Sequence, residues 1–512
     1  MSDAALAPGG FRPLSRRDWI GFYAMMIGLF MAVLDIQIVA SSLGEISAGL
    51  SATIEETAWI QASYLTAEVI IIPLTAWLAR ALSMRTLFTL SITLFTATSL
   101  LCALAWNIES MIVFRVLQGL SGGTLIPLAF SIIYIIFPPE RRAAMIVILA
   151  LVANVAPTIG PTFGGWLTQL FSWQWLFYIN LIPGALIAIV GWKTIDTDRP
   201  NLAILKQIDV LGVILIALFL GPLVYVLEEG PREDWFNSPT IALVAIISIV
   251  SGILLVWREL SAAHPVVDIR AFGNRNFLIG CLMSFAFGIA IYGSIYLLPV
   301  ILSTVRGYNS LQIGIAMIVI GAFQFISGPV AGQLEKRMEP RLMIALGLAL
   351  YAAAFWLYST VTAEVGFAQL FLPQMLHGIA IVITFLPMTA ITLGTLPPQE
   401  IQNASGLFNL MRNLGGAIGL AVINTIIGGR YDLHRSRLAE SITTARIPVS
   451  ETMAAAGEGF GEGDGEALAS LRMLLQLVER EALVMTYNDV WLIMAATIAC
   501  GLLLLPFVRK VA

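Results

Sequence analysis

Long apolar stretches recur along almost the whole chain, and each can cross a lipid bilayer. A spanning helix needs about 20 apolar residues to cross ~30 Å of hydrocarbon at 1.5 Å per residue. The sequence therefore predicts an all-α polytopic membrane protein. Its fourteen expected spans lie at about 19–41, 58–79, 86–105, 110–133, 143–166, 175–192, 209–227, 240–257, 276–299, 312–334, 342–360, 366–390, 406–427 and 487–508.

The composition agrees with a protein whose main solvent is lipid. Hydrophobic residues make up 58% of the 512 residues and charged residues 12%, whereas soluble domains average about 45–50% and 25%. The formal net charge of −4 lacks the basic excess typical of nucleic-acid binding. The three cysteines have no metal-ligand spacing. We therefore expect neither a nucleic-acid partner nor a bound metal.

The distribution of lysine and arginine predicts the orientation in the membrane. With a cytoplasmic N-terminus, 18 of the 28 basic residues fall in inner segments and 8 in outer loops. An excess of basic residues marks the cytoplasmic side, so both termini are predicted to be cytoplasmic. A cleavable signal peptide is the alternative for the first stretch, but its length and its Asp35 favour a retained helix.

Two pairs of segments repeat at nearly the same offset. Residues 73–85 share a proline, a leucine, a basic residue and an arginine in register with 329–341, 256 residues later. A Leu-X-Gly triplet at 117–119 recurs at 376–378, at an offset of 259. Duplicated halves with a site between them are typical of transporters. We predict a six-helix half at 1–200, a two-helix insert at 201–262 and a second six-helix half at 263–512.

Asp35 and Arg115 lie within predicted spans at similar depth, roughly 9 Å from the outer surface. Ionisable groups are costly inside a bilayer and usually mark a function. An ion pair at this depth would allow Asp35 to exchange its arginine partner for a proton or a cationic substrate. The alternative is a permanent structural pair.

Three more ionisable residues lie inside predicted spans. Glu68 is near the middle of the second span without a basic neighbour in sequence, so it is a candidate proton carrier or a neutral hydrogen-bonded carboxyl. His377, in the twelfth span, either carries a proton or forms neutral hydrogen bonds between helices. Arg412 is close enough to the predicted cytoplasmic end of its helix to extend to that surface.

The fifth span contains an unusual string of prolines and glycines. Proline removes a backbone donor and bends a helix, and glycine lets helices approach closely. The string therefore predicts a tightly packed hinge, whose members are Pro157, Gly160, Pro161, Gly164 and Gly165.

This string, at 156–165, resembles the antiporter motif of a transporter family. Arg115 with the glycines that follow it is similar to that family's helix-four motif, whose arginine is assigned to proton coupling, and the 34–39 segment matches part of its helix-one motif. The chain thus resembles the major facilitator superfamily, and within it the fourteen-helix EmrB/QacA-like drug:proton antiporters, most closely the EmrB branch.

The resemblance implies a 6+2+6 helical fold that exports amphipathic, lipophilic compounds in exchange for protons by alternating access. It implies a proton gradient and no other cofactor, a bacterial inner membrane, and a periplasmic adaptor with an outer-membrane channel as partners. One departure concerns the loop between helices two and three, where Arg80 and Ser83 replace the usual aspartate and glycine. This departure puts the charge-based latch of that loop in doubt.

An apolar cleft with a few polar groups would suit lipophilic substrates. The residues that we expect to line it, with packing as the alternative for each aromatic, are Gln61, Tyr64, Tyr292, Tyr296, Phe323, Gln324 and Phe385.

A long loop outside the membrane is predicted at 428–486, with a flexible glycine-rich part at 457–466 and an amphipathic helix at 471–485. It is the expected contact for an adaptor; a tolerated insertion is the alternative.

Two further functions stay open. One is transport of a specific metabolite or siderophore, and the other is a membrane-embedded enzyme or receptor. The GxSxG pattern at 119–123 lies within a spanning helix, not in the strand–turn–helix of a nucleophile elbow. No Walker A sequence for ATP is present either, so we expect no enzyme.

Overall fold

The computed structural model describes residues 14–40, 42–203, 209–262, 265–397, 400–442 and 464–509. Within these residues the chain is helical and has no strand. Thirteen helices there are long and apolar enough to cross a membrane. The prediction of an all-α, multi-pass membrane protein is therefore confirmed.

Seventeen α-helices follow one another along the described residues. In chain order they are α1 (Arg16–Ala40), α2 (Leu43–Leu50), α3 (Ile54–Leu82), α4 (Met84–Ala103), α5 (Ile108–Gly122), α6 (Leu125–Ile136), α7 (Pro139–Leu170), α8 (Trp175–Tyr178), α9 (Leu181–Thr194), α10 (Val210–Glu229), α11 (Pro239–Ser261), α12 (Arg275–Arg306), α13 (Ser310–Glu335), α14 (Pro340–Tyr358), α15 (Phe367–Gly394), α16 (Ile401–Ser441) and α17 (Asp464–Gly501).

The helix packing repeats between the N-terminal half (α1–α9) and the C-terminal half (α12–α17). Helix α1 packs against α7 as α12 packs against α16, and α3 packs against α5 as α13 packs against α15. The contact of α4 with α9 recurs as that of α14 with α17. The sequence offsets of 256 and 259 thus connect helices in equivalent positions.

The two halves meet mainly through α7 against α13 and α3 against α16. Two side-chain contacts also join the halves on the side of the bundle where α6 ends and α16 begins. The Ser131 and Ser405 hydroxyls lie 2.9 Å apart, and the Tyr134 hydroxyl donates to the Thr389 carbonyl. The insert helices α10 and α11 pack against each other, and α10 also contacts α3 and α16. The insert therefore lies beside the junction of the two halves.

The predicted fourth span is interrupted in the structure. It forms two helices, α5 and α6, separated at Gly123 and Thr124. Pro127 cannot donate a backbone hydrogen bond to the carbonyl four residues earlier, and glycine is a poor helix former. The same reasoning applies to the predicted sixth span, where Pro183 follows the break between α8 and α9.

The segment predicted as a loop at 428–486 is helical over much of its length. Helix α16 continues to Ser441, and α17 already begins at Asp464. His434 Nε2 lies 2.8 Å from Asp489 Oδ2 and so connects these two helices. The predicted amphipathic helix at 471–485 lies within α17, whereas most of the predicted flexible part, 457–463, falls outside the described residues.

The proline- and glycine-rich string lies in α7, which runs as one helix over 32 residues. Gly160 packs against Gln37 of α1 so closely that a Cβ would overlap with the glutamine side chain. Pro157, Gly164 and Gly165 are buried. The prediction of tight helix packing is met at Gly160, and the role of the string as a hinge stays a prediction.

Candidate functional site

Asp35 of α1 and Arg115 of α5 form an ion pair inside the N-terminal half. Arg115 Nη1 lies 2.6 Å from Asp35 Oδ2, and both side chains are inaccessible to solvent. Their predicted similar depth thus corresponds to direct contact. Because each charge compensates the other, removal of one would leave an isolated ion in a low-dielectric interior.

Three uncharged polar side chains complete the network around Asp35. Asn180 Nδ2 donates to Asp35 Oδ1 over 2.8 Å, and Gln118 Nε2 donates to the same oxygen over 3.2 Å. The Ser99 hydroxyl accepts a 2.7 Å hydrogen bond from Gln118. None of these three was predicted as a site residue from the sequence. Their common signal is a polar residue at an otherwise apolar span position.

The Arg115 guanidinium is also held by α3. Its Nε donates to the Ile60 carbonyl over 3.1 Å, and its centre lies 4.2 Å from the Tyr64 ring centroid. Two glycines permit this approach: a Cβ at Gly119 would overlap with the Tyr64 carbonyl, and one at Gly122 with the Tyr64 hydroxyl. Tyr64, predicted to line a cleft, instead covers the ion pair.

Glu68 lies one turn further along α3 and is almost inaccessible to solvent. Its side chain packs against Gly123, at the break between α5 and α6. Arg412 and, more weakly, Arg115 are the cations whose charge acts on it. No basic group among the described residues lies within 4 Å of its carboxylate. Glu68 is therefore a buried acid with no ion-pair partner among the described residues.

Arg412 of α16 points into the protein, contrary to the prediction that it extends to the membrane surface. Only 8% of it is exposed. Its guanidinium centre lies 5.9 Å from the Phe130 ring and 5.8 Å from the Phe385 ring. The prediction considered only the distance from Arg412 to the end of α16. In the structure, Arg412 lies on the side of α16 that faces the protein interior.

His377 lies inside the C-terminal half, away from any charged partner in the described chain. Its Nε2 is 3.1 Å from the Tyr351 hydroxyl and 3.4 Å from the Ser294 hydroxyl. The Tyr351 and Phe355 rings lie 4.9 and 5.5 Å from the imidazole centroid. This environment matches the neutral interhelical alternative for His377, while its predicted part in proton coupling stays a prediction.

The predicted cleft residues do not all converge. Phe385 lies beside the Arg412 guanidinium, Tyr292 donates to the adjacent Asn413, and Gln61 lies half-buried on the α3 face that carries Glu68. Gln324 is buried in α13, and neither of its amide atoms has a partner in the described chain. Two others lie apart, since Tyr296 donates to Asn424 Oδ1 and Phe323 packs edge-on against the exposed Phe371.

A polar cleft lies at the ends of the helices nearest the chain termini. Arg80, at the end of α3, lines it from the N-terminal half. The same cleft is lined by Asp268, Arg270, Glu400 and Asn403, which come later in the chain. The basic side chain that replaces the family's usual aspartate thus faces two carboxylates across the junction. The other departure, Ser83, adopts a left-handed φ of 74°, which explains why the family favours glycine there.

The repeated helix packing and the buried ionic network define a polytopic membrane protein with two similar halves, one of which contains the ion pair. The profile of the Major Facilitator Superfamily matches residues 25–420. The chain belongs to the Major Facilitator Superfamily, as its motifs predicted.

Its relatives extend over nearly the whole chain. It is 37% identical to the "Colistin resistance protein EmrB" of Acinetobacter baumannii over 93% of each chain. It is 30% identical to the "Multidrug export protein EmrB" of Escherichia coli K12 over 91% of each chain. The solved structure of the proton:xylose symporter XylE aligns with a TM-score of 0.58 at 11% identity and 94% of each chain. That structure supports the fold alone.

Proposed function

We propose that this protein exports amphipathic, lipophilic compounds across a bacterial inner membrane in exchange for protons. The observation that carries the proposal is the solvent-inaccessible Asp35–Arg115 ion pair, in a chain whose extensive similarity is to proteins named for multidrug export. The superfamily fold supports a transporter rather than an enzyme. The bacterial sources of the relatives support an inner-membrane location.

We expect proton exchange to act through the ion pair, because either charge is costly when it is left without its partner in the protein interior. A proton that binds Asp35 neutralises the carboxylate and frees the Arg115 guanidinium from its ionic partner. Arg115 retains Gln118 and the Ile60 carbonyl as acceptors, so the protonated state is still hydrogen-bonded. Because α1, α3 and α5 all contact this group, protonation changes the forces between three helices at once.

Glu68 is the second proposed proton carrier. It lies on α3, the helix that contacts Arg115 of the pair and also packs against α16 of the opposite half, which carries Arg412. A deprotonated Glu68 would attract a cationic substrate, and a proton would compete with that substrate for the carboxylate. Such competition is the requirement for exchange in opposite directions.

The proposal is tested in vesicles that contain the purified protein and a pH-sensitive dye. A pH jump should drive uptake of lipophilic compounds into inside-out vesicles, and addition of a substrate should release protons from them. A protonophore should abolish both signals. Transport that persists without a pH gradient, or that requires ATP, would contradict the proposal.

We also propose that the extended ends of α16 and α17 contact a periplasmic adaptor, which in turn leads to an outer-membrane channel. These helices continue well beyond the length that a bilayer requires. Leu471 and Leu475 of α17 are almost half exposed. Photo-crosslinkers at these two positions should capture one periplasmic protein in cells, while a crosslinker at the lipid-facing Ile253 should not.

A further inference from the structure

Arg412 is a buried cation at the junction of the two halves. Phe130 of the N-terminal half and Phe385 of the C-terminal half lie next to each other beside it, each slightly under 6 Å from the guanidinium centre. Among the residues that the structure describes, no carboxylate comes within 4 Å of this guanidinium. Glu68, whose charge does act on it, projects from the opposite half.

The neighbours of Arg412 compensate its charge only in part. Aromatic rings attract a cation, but they supply no negative charge. A buried ion that lacks a counter-ion is costly. An anion that enters the junction would therefore gain from this arginine, which offers a planar set of donors suited to a carboxylate.

The surroundings of Arg412 also suit an apolar ligand body. The Phe385 ring lies 5.5 Å from the Phe287 ring, 6.1 Å from Phe130 and 6.3 Å from Phe408. These rings come from α6, α12, α15 and α16, so both halves contribute to one aromatic cluster. Any opening of the junction would expose the cluster and the guanidinium together.

Close helix packing fixes the position of Arg412. A Cβ at Gly288 of α12 would overlap with the Arg412 backbone carbonyl, and one at Gly416 would overlap with the Tyr292 ring. The Tyr292 hydroxyl in turn donates to Asn413 Oδ1 over 2.9 Å. The guanidinium is thus presented from a rigid α12–α16 pair instead of a mobile surface position.

We propose that Arg412 binds the carboxylate of amphipathic organic anions, with their apolar body against the aromatic cluster, and that it determines whether the protein accepts anions. This assignment rests on the proposed export function and names one substrate class for it. The opposite half provides the opposite charge at Glu68. The junction therefore selects substrates by charge through two residues, one on each half.

The test compares two fluorescent ligands with the same apolar body, pyrenebutanoate and pyrenebutyl-trimethylammonium. Their dissociation constants are measured at pH 7.5 with the full-length protein in lipid nanodiscs. In Arg412→Gln, the ratio of the anion's to the cation's dissociation constant should rise at least tenfold. In Arg412→Lys, which keeps the charge, the ratio should rise by less than in Arg412→Gln. In Glu68→Gln, the ratio should fall.

A ratio that does not move in Arg412→Gln, while the folded variant still binds the cation, would overturn the assignment. The cation's binding also reports folding, and size-exclusion chromatography provides a second check. If the glutamine variant does not fold, Arg412→Lys still tests the assignment, because loss of the planar donor set should raise the ratio above that of the unsubstituted protein. Failure of the unsubstituted protein to transport either ligand under a pH gradient would instead overturn the export proposal.

Discussion

Equivalent positions in the two halves carry different polar side chains, although the helices of both halves pack in the same way. At the offset of 259 residues, Asp35 corresponds to Ser294 and Gln118 to His377. In the N-terminal half Gln118 donates to the Asp35 carboxylate, and in the C-terminal half His377 lies beside the Ser294 hydroxyl. The duplicated helices thus preserve the contact, but only one half retains the charge.

The position of Arg115 shows the same contrast. Its counterpart at this offset is Gln374, which is fully buried and whose amide atoms have no partner within the described chain. The backbone contact beside it is nevertheless conserved between halves, because Gly119 abuts the Tyr64 carbonyl as Gly378 abuts the Ile320 carbonyl. Small residues that set helix distance are therefore repeated independently of the ionic groups.

The largest difference between the halves should appear when their matched polar positions are changed. Asp35→Asn removes the only carboxylate of the Arg115 network, and we expect proton-driven transport to fall to the level of empty vesicles. Ser294→Ala loses two neutral hydrogen bonds, to the Ile291 carbonyl and to His377, each worth about 1 kcal/mol, and should retain most transport. Initial rates in pH-jump vesicles provide the measurement. Equal loss in both variants would remove the functional asymmetry.

A second comparison separates stability from transport. Arg115→Gln leaves the Asp35 carboxylate buried without its cation, at an expected cost of about 3–5 kcal/mol. Asp35→Asn combined with Arg115→Gln removes both charges and should recover most of that loss, because a neutral pair avoids the desolvation cost. Thermal unfolding in detergent measures the stability. Transport should stay absent in the double variant, and its return would show that the pair is only structural.

A third variant tests the C-terminal counterpart. His377→Gln keeps a side-chain donor and acceptor near Tyr351 and Ser294, so we expect a stability change of about 1 kcal/mol. The pH dependence of transport should have the same shape as in the unsubstituted protein. A shifted or flattened pH profile, with unchanged protein levels, would place His377 in the proton path as its residue type predicts.

The smallest expected effect concerns the turn between α3 and α4. Ser83 has a φ of 74°, whereas no residue of the matching turn at 336–340 has a positive φ. Ser83→Gly should relieve strain of about 1 kcal/mol, less a few tenths for the lost cap to Thr86. A small rise in the thermal unfolding midpoint would confirm this; a decrease would show that the serine hydroxyl matters more.

Much of the architecture could be predicted because lipid imposes a simple pattern. Apolar length predicted the spans, and two repeated segments predicted equivalent helices. Breaks next to Gly123 and Pro183 were missed, since a hydropathy window averages over single residues. The continuation of α16 to Ser441 was missed for the opposite reason, because polar residues there resemble a loop until the two helices are seen to pack together. A helix at 471–485 was predicted, but not that it continues into the last span as one helix, α17.

The site was predictable only in part. Asp35 and Arg115 stand out because charge is rare inside spans, and their similar depth favoured contact. Asn180 and Ser99 carry only a weaker signal, a polar residue at an apolar span position, and uncharged polar residues are common in packed helices. Arg412 was misplaced because distance along a helix axis does not say which side of the helix faces the protein interior.

The sequence by itself determined that this chain spans a membrane many times, that its halves are related and that a few ionisable groups lie inside it. These properties follow from residue type and spacing, because hydrophobicity and helical rise act locally. Only the tertiary structure decided which buried charges meet. Asp35 and Arg115 are 80 residues apart, so their contact depends on how separate helices pack.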